Sequence, residues 1–374
     1  MSGKRMKHKH ISPYCLLNFI VFYCLVLPVA MAQVQNITDS LGRKIQIKDT
    51  PKHVICSGAG SLRLLTYLQA QDRIVAVDSI EIRNDFFDVR PYALANPQFR
   101  KLPIFGEYRG NDNPERIVSL DPQPEVIFKT FSTMGYNPQE LQSKIRIPVI
   151  ALSYGDLSNY KSSLYQSIHI MGTILNTNHR AMQITSFFDQ LIADLNQRCQ
   201  GIKQRPLCYV GGIAFKGIQN FQSTEPLYPP FKYTHTKNIA CDTIGKHLSH
   251  SYIAKEKLVE WNPDYIFVDL ASLAANIEAN ALYELKNDPV YQNLDAVKNG
   301  KVYGVLPYNG YAQNFGSTMA NAWFVGKLLY PDRFQDIDPI KKADEIYHFL
   351  FGKSVFKQMN KKLHSLVFQR VVKE

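Results

Sequence analysis

The 374-residue sequence predicts an α/β protein with two lobes, each built on a central parallel sheet, joined by one long helix and enclosing a ligand cleft. Three observations lead to this fold class. Apolar strand-like runs alternate with segments of helical periodicity, one helix–turn–strand pattern occurs twice, and a long uninterrupted helical pattern separates the two halves. With 45% hydrophobic residues, the chain can form a sizeable core.

The N-terminal segment differs in composition from the rest of the chain. Four basic residues within the first nine precede an apolar run over residues 15–30, which ends in Ala30-Met31-Ala32. This order is typical of a secretory signal peptide with a small-residue cleavage site. Asn18 and Pro28 interrupt the run, which is shorter than the ~20 residues of a spanning helix. We therefore predict that residues 1–32 are a signal peptide.

Removal of residues 1–32 lowers the formal net charge from +11 to +7, because it takes away four basic residues and no acidic one. A basic exported protein is suited to anionic ligands. Nucleic acid is excluded as a partner, since the chain has no basic helix and no run of basic residues interleaved with aromatic ones. We expect a monomer.

The first lobe begins with a hairpin and a βαβ unit. Residues 37–47 alternate around a turn at Gly42, which predicts the hairpin. Residues 53–56 form a short apolar run, the glycine-rich segment 57–61 follows, leucines then recur at helical spacing, and residues 74–77 form the next apolar run. The order of strand, glycine loop, helix and strand predicts a Rossmann-like parallel sheet.

The repeated pattern begins at Glu115 and again at Glu256. Each copy has a short helical segment, a turn marked by Pro122 or Pro263, and an apolar strand. A repeat at about 140 residues indicates two similar lobes.

A long helix separates the two lobes. Residues 173–200 contain neither Gly nor Pro, and apolar residues recur at helical spacing from Ala181 to Leu195. We predict an N-terminal α/β lobe over residues 33–175, a linking helix over residues 176–204 and a C-terminal α/β lobe over residues 205–374.

The loops that follow the predicted strands are the candidate ligand site, because ligands of open parallel sheets bind beyond the carboxyl ends of the strands. These loops are rich in Tyr, Phe, Arg and Gly. Such side chains suit a bulky anionic or conjugated ligand, and Tyr and carboxylate oxygens also suit a trivalent metal. The loops are residues 57–61, 79–84, 105–111, 130–136, 212–217, 269–272 and 307–314.

Motifs of catalysis are absent from the sequence. It contains no phosphate-binding loop and no nucleophile elbow, and Arg63 stands where a dinucleotide-binding loop has its third glycine. We predict no catalytic residue, no metal site and no cofactor. After cleavage four cysteines remain, which allow three pairings and leave the question of disulfides open: Cys56, Cys199, Cys208 and Cys241.

Several stretches resemble class III periplasmic substrate-binding proteins of ABC importers, which serve iron-siderophores, haem and cobalamin. They are Asp-Ser-Leu-Gly-Arg at residues 39–43, the loop at 57–63, Asn-Pro-Asp-Tyr-Ile at 262–266 and Tyr-Gly-Val-Leu-Pro-Tyr-Asn at 303–309. The tail, at residues 329–334 and 342–347, is similar to an iron-chelate subgroup. The resemblance covers nearly all of the chain after residue 32.

The resemblance implies a periplasmic protein that captures a metal chelate and delivers it to the permease dimer of an inner-membrane ABC transporter, and the ligand we predict is a ferric siderophore or a similar iron complex. The alternative ligands are molybdate or tungstate, a nickel chelate, haem and a corrinoid. An alternative outside this class is an exported α/β enzyme. We expect the ligand to lie among Ser57, Gly58, Gly60, Ser61, Arg83, Tyr108, Arg109, Lys216, Tyr308 and Tyr311.

The resemblance also assigns roles to three further residues. Proteins of this class carry one surface glutamate in each lobe that pairs with arginines of the permease, and Glu115 and Glu256 occupy those positions of the repeat. Many members have a Thr-Glu pair where this chain has Leu62 and Arg63. Arg63 is therefore expected either to face an anionic ligand or to hold the lobe together.

Overall fold

The computed structural model describes residue 3 and residues 34–83, 88–244, 250–274 and 280–372. Val34–Glu374 forms one compact unit. The predicted signal peptide lies outside the described residues except for Gly3. The lobe boundaries at residues 175 and 205 stay predictions.

Strands and helices alternate along most of the described chain. The strands are β1 (Gln35–Thr38), β2 (Lys44–Ile47), β3 (Val54–Ser57), β4 (Ile74–Asp78), β5 (Ile104–Glu107), β6 (Asn111–Asp112), β7 (Val126–Thr130), β8 (Val149–Leu152), β9 (Leu207–Gly211), β10 (Ser223–Thr224), β11 (Lys237–Asn238), β12 (Ser251–Tyr252), β13 (Tyr265–Asp269) and β14 (Val302–Val305). The helices are α1 (Ser61–Tyr67), α2 (Pro91–Ala95), α3 (Pro114–Val118), α4 (Pro138–Ile145), α5 (Lys161–Ile174), α6 (Asn178–Cys199), α7 (Pro229–Tyr233), α8 (Ile239–Ile244), α9 (Lys255–Trp261), α10 (Ala281–Asn287), α11 (Asp295–Lys298), α12 (Phe315–Leu329), α13 (Pro339–Phe351) and α14 (Phe356–Lys362).

Two parallel sheets form the centres of the two lobes. The first sheet has the strand order β6-β5-β4-β3-β7-β8, in which only the edge strand β6 is antiparallel to its neighbour. The second sheet has the order β11-β9-β13-β14 and is parallel throughout. The predicted two-lobed α/β fold class is confirmed. The predicted hairpin near the N-terminus is the antiparallel pair β1–β2.

Four strands, β3, β7, β8 and β14, are buried along their whole length, and β4, β9 and β13 are buried at every position but one, because helices cover both faces of a parallel sheet. The larger hydrophobic core contains residues of both lobes. A smaller core lies against the first sheet alone and includes Ile55, Phe105, Ile127, Leu141 and Val149. The two lobes therefore share one apolar interior.

The repeated pattern takes the same place in each lobe. In the first lobe α3 precedes β7, which pairs with β3; in the second α9 precedes β13, which pairs with β9. Glu115 and Glu256 lie in the first turns of α3 and α9, and both are exposed. The sequence repeat thus corresponds to a structural repeat.

The long helix α6 contacts both lobes through Phe188. The Phe188 ring lies 6.1 Å from the ring of Tyr67 on α1 and 6.2 Å from that of Phe315 on α12. Edge-to-face aromatic contacts at this distance add to the stabilisation from burial. No helix in the described part of the chain has both the length and the apolar character needed to cross a membrane.

Candidate ligand-binding cleft

A cavity of about 710 Å³ lies between the carboxyl ends of the two sheets. The loops after β3, β4, β5 and β7 line it from the first lobe, and the loops after β9, β13 and β14 line it from the second. Each of the seven loops predicted to form the ligand site contributes to the lining. We call this cavity the cleft.

Half of the ten predicted ligand residues line the cleft, and they include three cationic side chains. Arg83 and Arg109 place their guanidinium carbons 4.8 Å and 5.4 Å from the ring centroid of Tyr108. Lys216 lies on the second lobe, with its ammonium 5.5 Å from the Phe215 ring centroid. Aromatic faces attract cations, so these contacts hold the charged groups at the cleft. The five residues are Arg83, Tyr108, Arg109, Lys216 and Tyr311.

Aromatic side chains form walls on both sides of the cleft. Phe131 from the first lobe and Phe215 from the second are each 37% exposed. Phe131 stacks on Tyr154 at a centroid distance of 5.7 Å, and Phe215 stacks on His250 at 4.1 Å. These ring contacts support the exposed walls from behind.

The loop after β14, residues 307–314, is held by two aspartates that end strands of different sheets. Asp269 ends β13 and accepts a hydrogen bond from the Tyr308 backbone N–H at 3.2 Å. Asp78 ends β4 and accepts a 2.5 Å bond from the Tyr311 hydroxyl. The Tyr311 oxygen in turn accepts a 2.9 Å bond from the Arg109 backbone N–H. Tyr311 therefore connects the two lobes at the cleft.

The loop after β3 lies beneath the cleft surface rather than on it, apart from Ala59. Ser57 and Ser61 are fully buried; the Ser57 hydroxyl donates to Asp112 Oδ1 at 2.6 Å, and that of Ser61 donates to the Phe128 carbonyl at 3.0 Å. Gly58 and Gly60 have φ of +82° and +78°, and a Cβ at Gly58 would lie 2.4 Å from the Thr130 carbonyl oxygen. The glycines permit this close packing.

Tyr308 is the remaining predicted ligand residue, and its side chain is directed away from the cleft. It is 6% exposed, and its hydroxyl donates a hydrogen bond to the buried carboxyl group of Glu225. The sequence placed Tyr308 correctly in the loop after β14 but did not specify the direction of its ring.

A buried ion pair supports the turn that presents Arg109. The Lys129 ammonium, fully buried, donates to Asp112 Oδ2 at 2.6 Å, to the Ser57 hydroxyl at 3.0 Å and to the Gly110 carbonyl at 3.0 Å. A buried ammonium needs such complete hydrogen bonding. Lys129 thus fixes the backbone next to Arg109.

The described residues contain no cluster of three or more His, Cys, Asp or Glu side chains able to hold a metal ion. All four cysteines of the described chain are free thiols, and Cys56, Cys199 and Cys208 are buried. Burial raises the pKa of each of these three thiols, which disfavours the reactive thiolate.

The periplasmic binding protein family matches residues 54–308 of this chain. The chain belongs to that family. The predicted class III type is confirmed, and the family implies a location in the periplasm. Its members are solute-binding transport proteins rather than enzymes, and those of ABC transporters work with an inner-membrane permease.

The sequence and structural similarity to individual proteins extends over most of this periplasmic binding protein. It is 25% identical to the molybdate-binding protein MolA of Haemophilus influenzae, over 93% of this chain and 98% of that protein. It is similar in structure to a periplasmic solute-binding protein from Veillonella parvula, with a TM-score of 0.69, 17% identity and coverage of 90% and 97%. It is also similar to the H. influenzae MolA structure with bound molybdate, with a TM-score of 0.63, 21% identity and coverage of 86% and 98%.

Four residues at the cleft of this periplasmic binding protein are not among the ten ligand residues predicted from its sequence. Phe131 and Phe215 are the exposed walls, and Asn314 lines the cleft with its buried Oδ1 unpartnered among the described residues. Asp78 holds Tyr311. Asp78 could have been predicted from the sequence, because it is a carboxylate at the carboxyl end of a parallel strand. Phe131, Phe215 and Asn314 could not, because the directions of their side chains depend on tertiary packing.

Three buried carboxyl groups behind the cleft have pKa values above their ordinary range. Burial raises the pKa of Asp78 to about 7, and the nearby charge of Glu81 adds to this shift. Burial likewise raises the pKa of Asp269 to about 7 and that of Glu225 to about 8. Loss of water disfavours the charged form of a carboxyl group. Glu225 therefore keeps its proton to a higher pH than an exposed glutamate does.

These shifts predict that Asp78, Asp269 and Glu225 contribute progressively less to stability as the pH rises from about 4 to 8. A carboxyl pKa above its unfolded value means that the folded protein binds more protons in this window, so the free energy of unfolding falls by up to ~1.4 kcal/mol per pH unit for each group. Glu225→Gln keeps an acceptor for Tyr308 and removes one titrating group. Urea denaturation between pH 6 and 8 should show a shallower slope for this variant.

The control for this measurement is Glu260→Gln, because the Glu260 side chain is 66% exposed. It should retain the wild-type slope. If Glu225→Gln also retains that slope, Glu225 is ionised in the folded protein and the assignment is wrong.

Proposed function

We propose that this binding protein captures an anionic metal complex, a ferric siderophore or a similar chelate, in the cleft and delivers it to the permease dimer of an inner-membrane ABC transporter. The observation that carries the proposal is the combination of three cations with aromatic walls from both lobes. Arg83, Arg109 and Lys216 supply the charge, and Tyr108 and Phe215 supply two of the walls.

The charge of the cleft supports an anionic ligand. Among the described residues, no carboxylate lies within 4.0 Å of the charged groups of Arg83, Arg109 or Lys216. By contrast Arg90, which also lines the cleft, pairs with Glu81 at 2.9 Å and with Asp88 at 2.8 Å. Cations without a protein partner attract an anion and give it charge-assisted hydrogen bonds.

The size of the cleft favours a chelate over a small oxyanion. Its volume of about 710 Å³ lies within the range of ~300–1,000 Å³ usual for sites that hold an organic ligand. A chelate with aromatic groups would cover Phe131 and Phe215, which are otherwise exposed. A five-atom oxyanion would leave most of these walls in contact with water.

Molybdate is the second candidate, because the relative at 25% identity is named as a molybdate-binding protein. Its oxygens would accept hydrogen bonds from Arg83 and Arg109. Planar guanidinium groups bind oxyanions well, since two parallel N–H donors match two oxygens.

Isothermal titration calorimetry with two probes separates the candidates. The probes are the ferric complex of 2,3-dihydroxybenzoate and sodium molybdate. We expect saturable binding of the ferric complex, and Arg109→Gln should weaken it by about 10- to 100-fold, because a hydrogen bond to a charged group contributes ~1.5–3 kcal/mol.

The matched control is Arg146→Gln. Arg146 also has a left-handed backbone, with φ of +59° against +63° for Arg109, but it does not line the cleft. It should leave the affinity unchanged. If only molybdate binds, the ligand is the oxyanion and not a ferric chelate. If neither probe binds, the proposed ligand class is wrong.

We propose further that residues 1–32 direct export and that Glu115 and Glu256 dock the protein on the permease. Both glutamates are exposed, and they occupy equivalent positions in the structural repeat. Two carboxylates at fixed positions suit a partner with two equivalent basic sites, where charge complementarity sets orientation and association rate.

The docking proposal predicts that Glu115→Gln combined with Glu256→Gln abolishes uptake in cells and leaves ligand affinity intact. The permease would lose both ion pairs, whereas the cleft is unchanged. Uptake of the ferric probe, measured alongside calorimetry, checks this. The control pair Glu140→Gln and Glu345→Gln alters exposed glutamates on α4 and α13 and should transport normally. Normal uptake by the first pair would contradict docking through these residues.

A further inference from the structure

Arg63 is a buried cation that does not line the cleft. Its side chain is fully buried on α1. A guanidinium carries five N–H donors that need acceptors when water is excluded. It donates to the carbonyl oxygens of Gly310 at 2.8 Å, Gln313 at 2.9 Å and Tyr311 at 3.3 Å. These carbonyls belong to the loop after β14, so Arg63 joins the first lobe to a loop of the second.

Two tyrosines enclose the Arg63 guanidinium. Its carbon lies 5.1 Å from the ring centroid of Tyr92 and 5.9 Å from that of Tyr154. The guanidinium also donates to the Tyr154 hydroxyl, which itself donates to the Gln313 carbonyl at 2.7 Å. Carbonyl oxygens and ring faces therefore stabilise this charge in the interior.

The loop that Arg63 contacts has an unfavourable backbone conformation. Tyr311 and Ala312 have φ of +50° and +70°, in the left-handed region that non-glycine residues rarely adopt. Within the loop, the Gly310 N–H donates to the Ala312 carbonyl at 3.1 Å, and the Asn314 N–H donates to the Tyr308 carbonyl at 2.7 Å. Contacts from outside the loop must hold such a conformation in place.

The conformation of this loop determines where the Tyr311 hydroxyl lies. That hydroxyl accepts from the Arg109 backbone N–H and donates to Asp78, and the Tyr311 ring lies 6.5 Å from the Tyr108 ring. Arg109 and Tyr108 are cleft residues. A continuous set of contacts thus runs from Arg63 through Tyr311 to the groups that face a ligand.

We propose that Arg63 is a positioning residue for the cleft: it holds the loop after β14 so that Tyr311 fixes the backbone of Arg109 and orients it toward an anion. The predicted effect of Arg63 on ligand affinity rests on the proposed function. The predicted effect of Arg63 on the structure of the cleft does not depend on any ligand. Preorganised groups bind more tightly because less conformational freedom is lost on binding.

The test compares Arg63→Met with the wild type by hydrogen–deuterium exchange of the free protein. Met has similar length and no donor, so it removes the hydrogen bonds with little change in packing. We expect amide exchange to rise by about tenfold or more in residues 307–314 and also in residues 105–111, because local opening becomes easier in both segments.

The matched control is Arg180→Met. Arg180 also joins distant segments through backbone carbonyls, donating to Tyr67 at 2.9 Å and to Phe349, and it stacks on the Phe349 ring at 4.3 Å. It does not line the cleft. Arg180→Met should lower the melting temperature but leave exchange in both cleft segments unchanged. Equal effects of the two variants on those segments would overturn the proposal.

A double-mutant cycle with Tyr311→Phe tests whether Arg63 acts through Tyr311. We expect each single variant to weaken binding of the ferric 2,3-dihydroxybenzoate complex by about tenfold, and the double variant to be little weaker than either one, because coupled residues are not additive. Additive losses would contradict the proposal. If Arg63→Met does not fold, Arg63→Lys replaces it. Lysine keeps the positive charge but lacks the planar guanidinium with its several N–H donors.

The outcomes separate the two proposals. If the wild type binds neither the ferric complex nor molybdate, the proposed function fails, and the exchange experiment still decides the role of Arg63. If the wild type binds but Arg63→Met leaves exchange in residues 105–111 unchanged, the role of Arg63 is wrong and the proposed function stands.

Discussion

Buried ionisable side chains at the junction of the two lobes are the constraint on which the cleft depends. Arg63 and Asp78 on the first lobe and Asp269 on the second are each at most 3% exposed, so each needs hydrogen-bond partners from the protein. All three find them in residues 307–314. The loop is therefore fixed from two sheets at once, although its own backbone includes left-handed residues at Tyr311 and Ala312.

The arrangement of the two parallel sheets separates the cations at the cleft surface from the buried ion pair beneath it. Parallel strands deliver their carboxyl ends to one edge, where loops from both lobes meet. Beneath that edge, Lys129 and Asp112 neutralise each other. At the surface, Arg83 and Arg109 lack such a partner among the described residues and stay available to an anion. The buried Lys129–Asp112 pair supports the turn next to Arg109, and Arg83 and Arg109, which have no carboxylate partner among the described residues, give the cleft positive charge.

The features of the protein that depend on periodicity and topology could be predicted from its sequence. The βαβ order, the repeat at Glu115 and Glu256, and the loops that line the cleft follow from local patterns and from the rule that places ligands at strand ends. Side-chain direction did not follow. Ser57 and Tyr308 lie in the expected loops but bond to buried partners, because tertiary packing decides which side of a loop faces the interior. For Arg63, the expectation that it holds structure together agrees with its contacts, but its partners across the lobes became evident only from the fold.

Native mass spectrometry of the protein purified from its own periplasm tests most directly the claim that the cleft holds an anionic metal complex. The account predicts that the wild type carries an anionic species containing a metal, and that the variant with both Arg83→Gln and Arg109→Gln is released from the same cells without it. A neutral or cationic ligand, or the same bound mass in the wild type and the variant, would contradict the account.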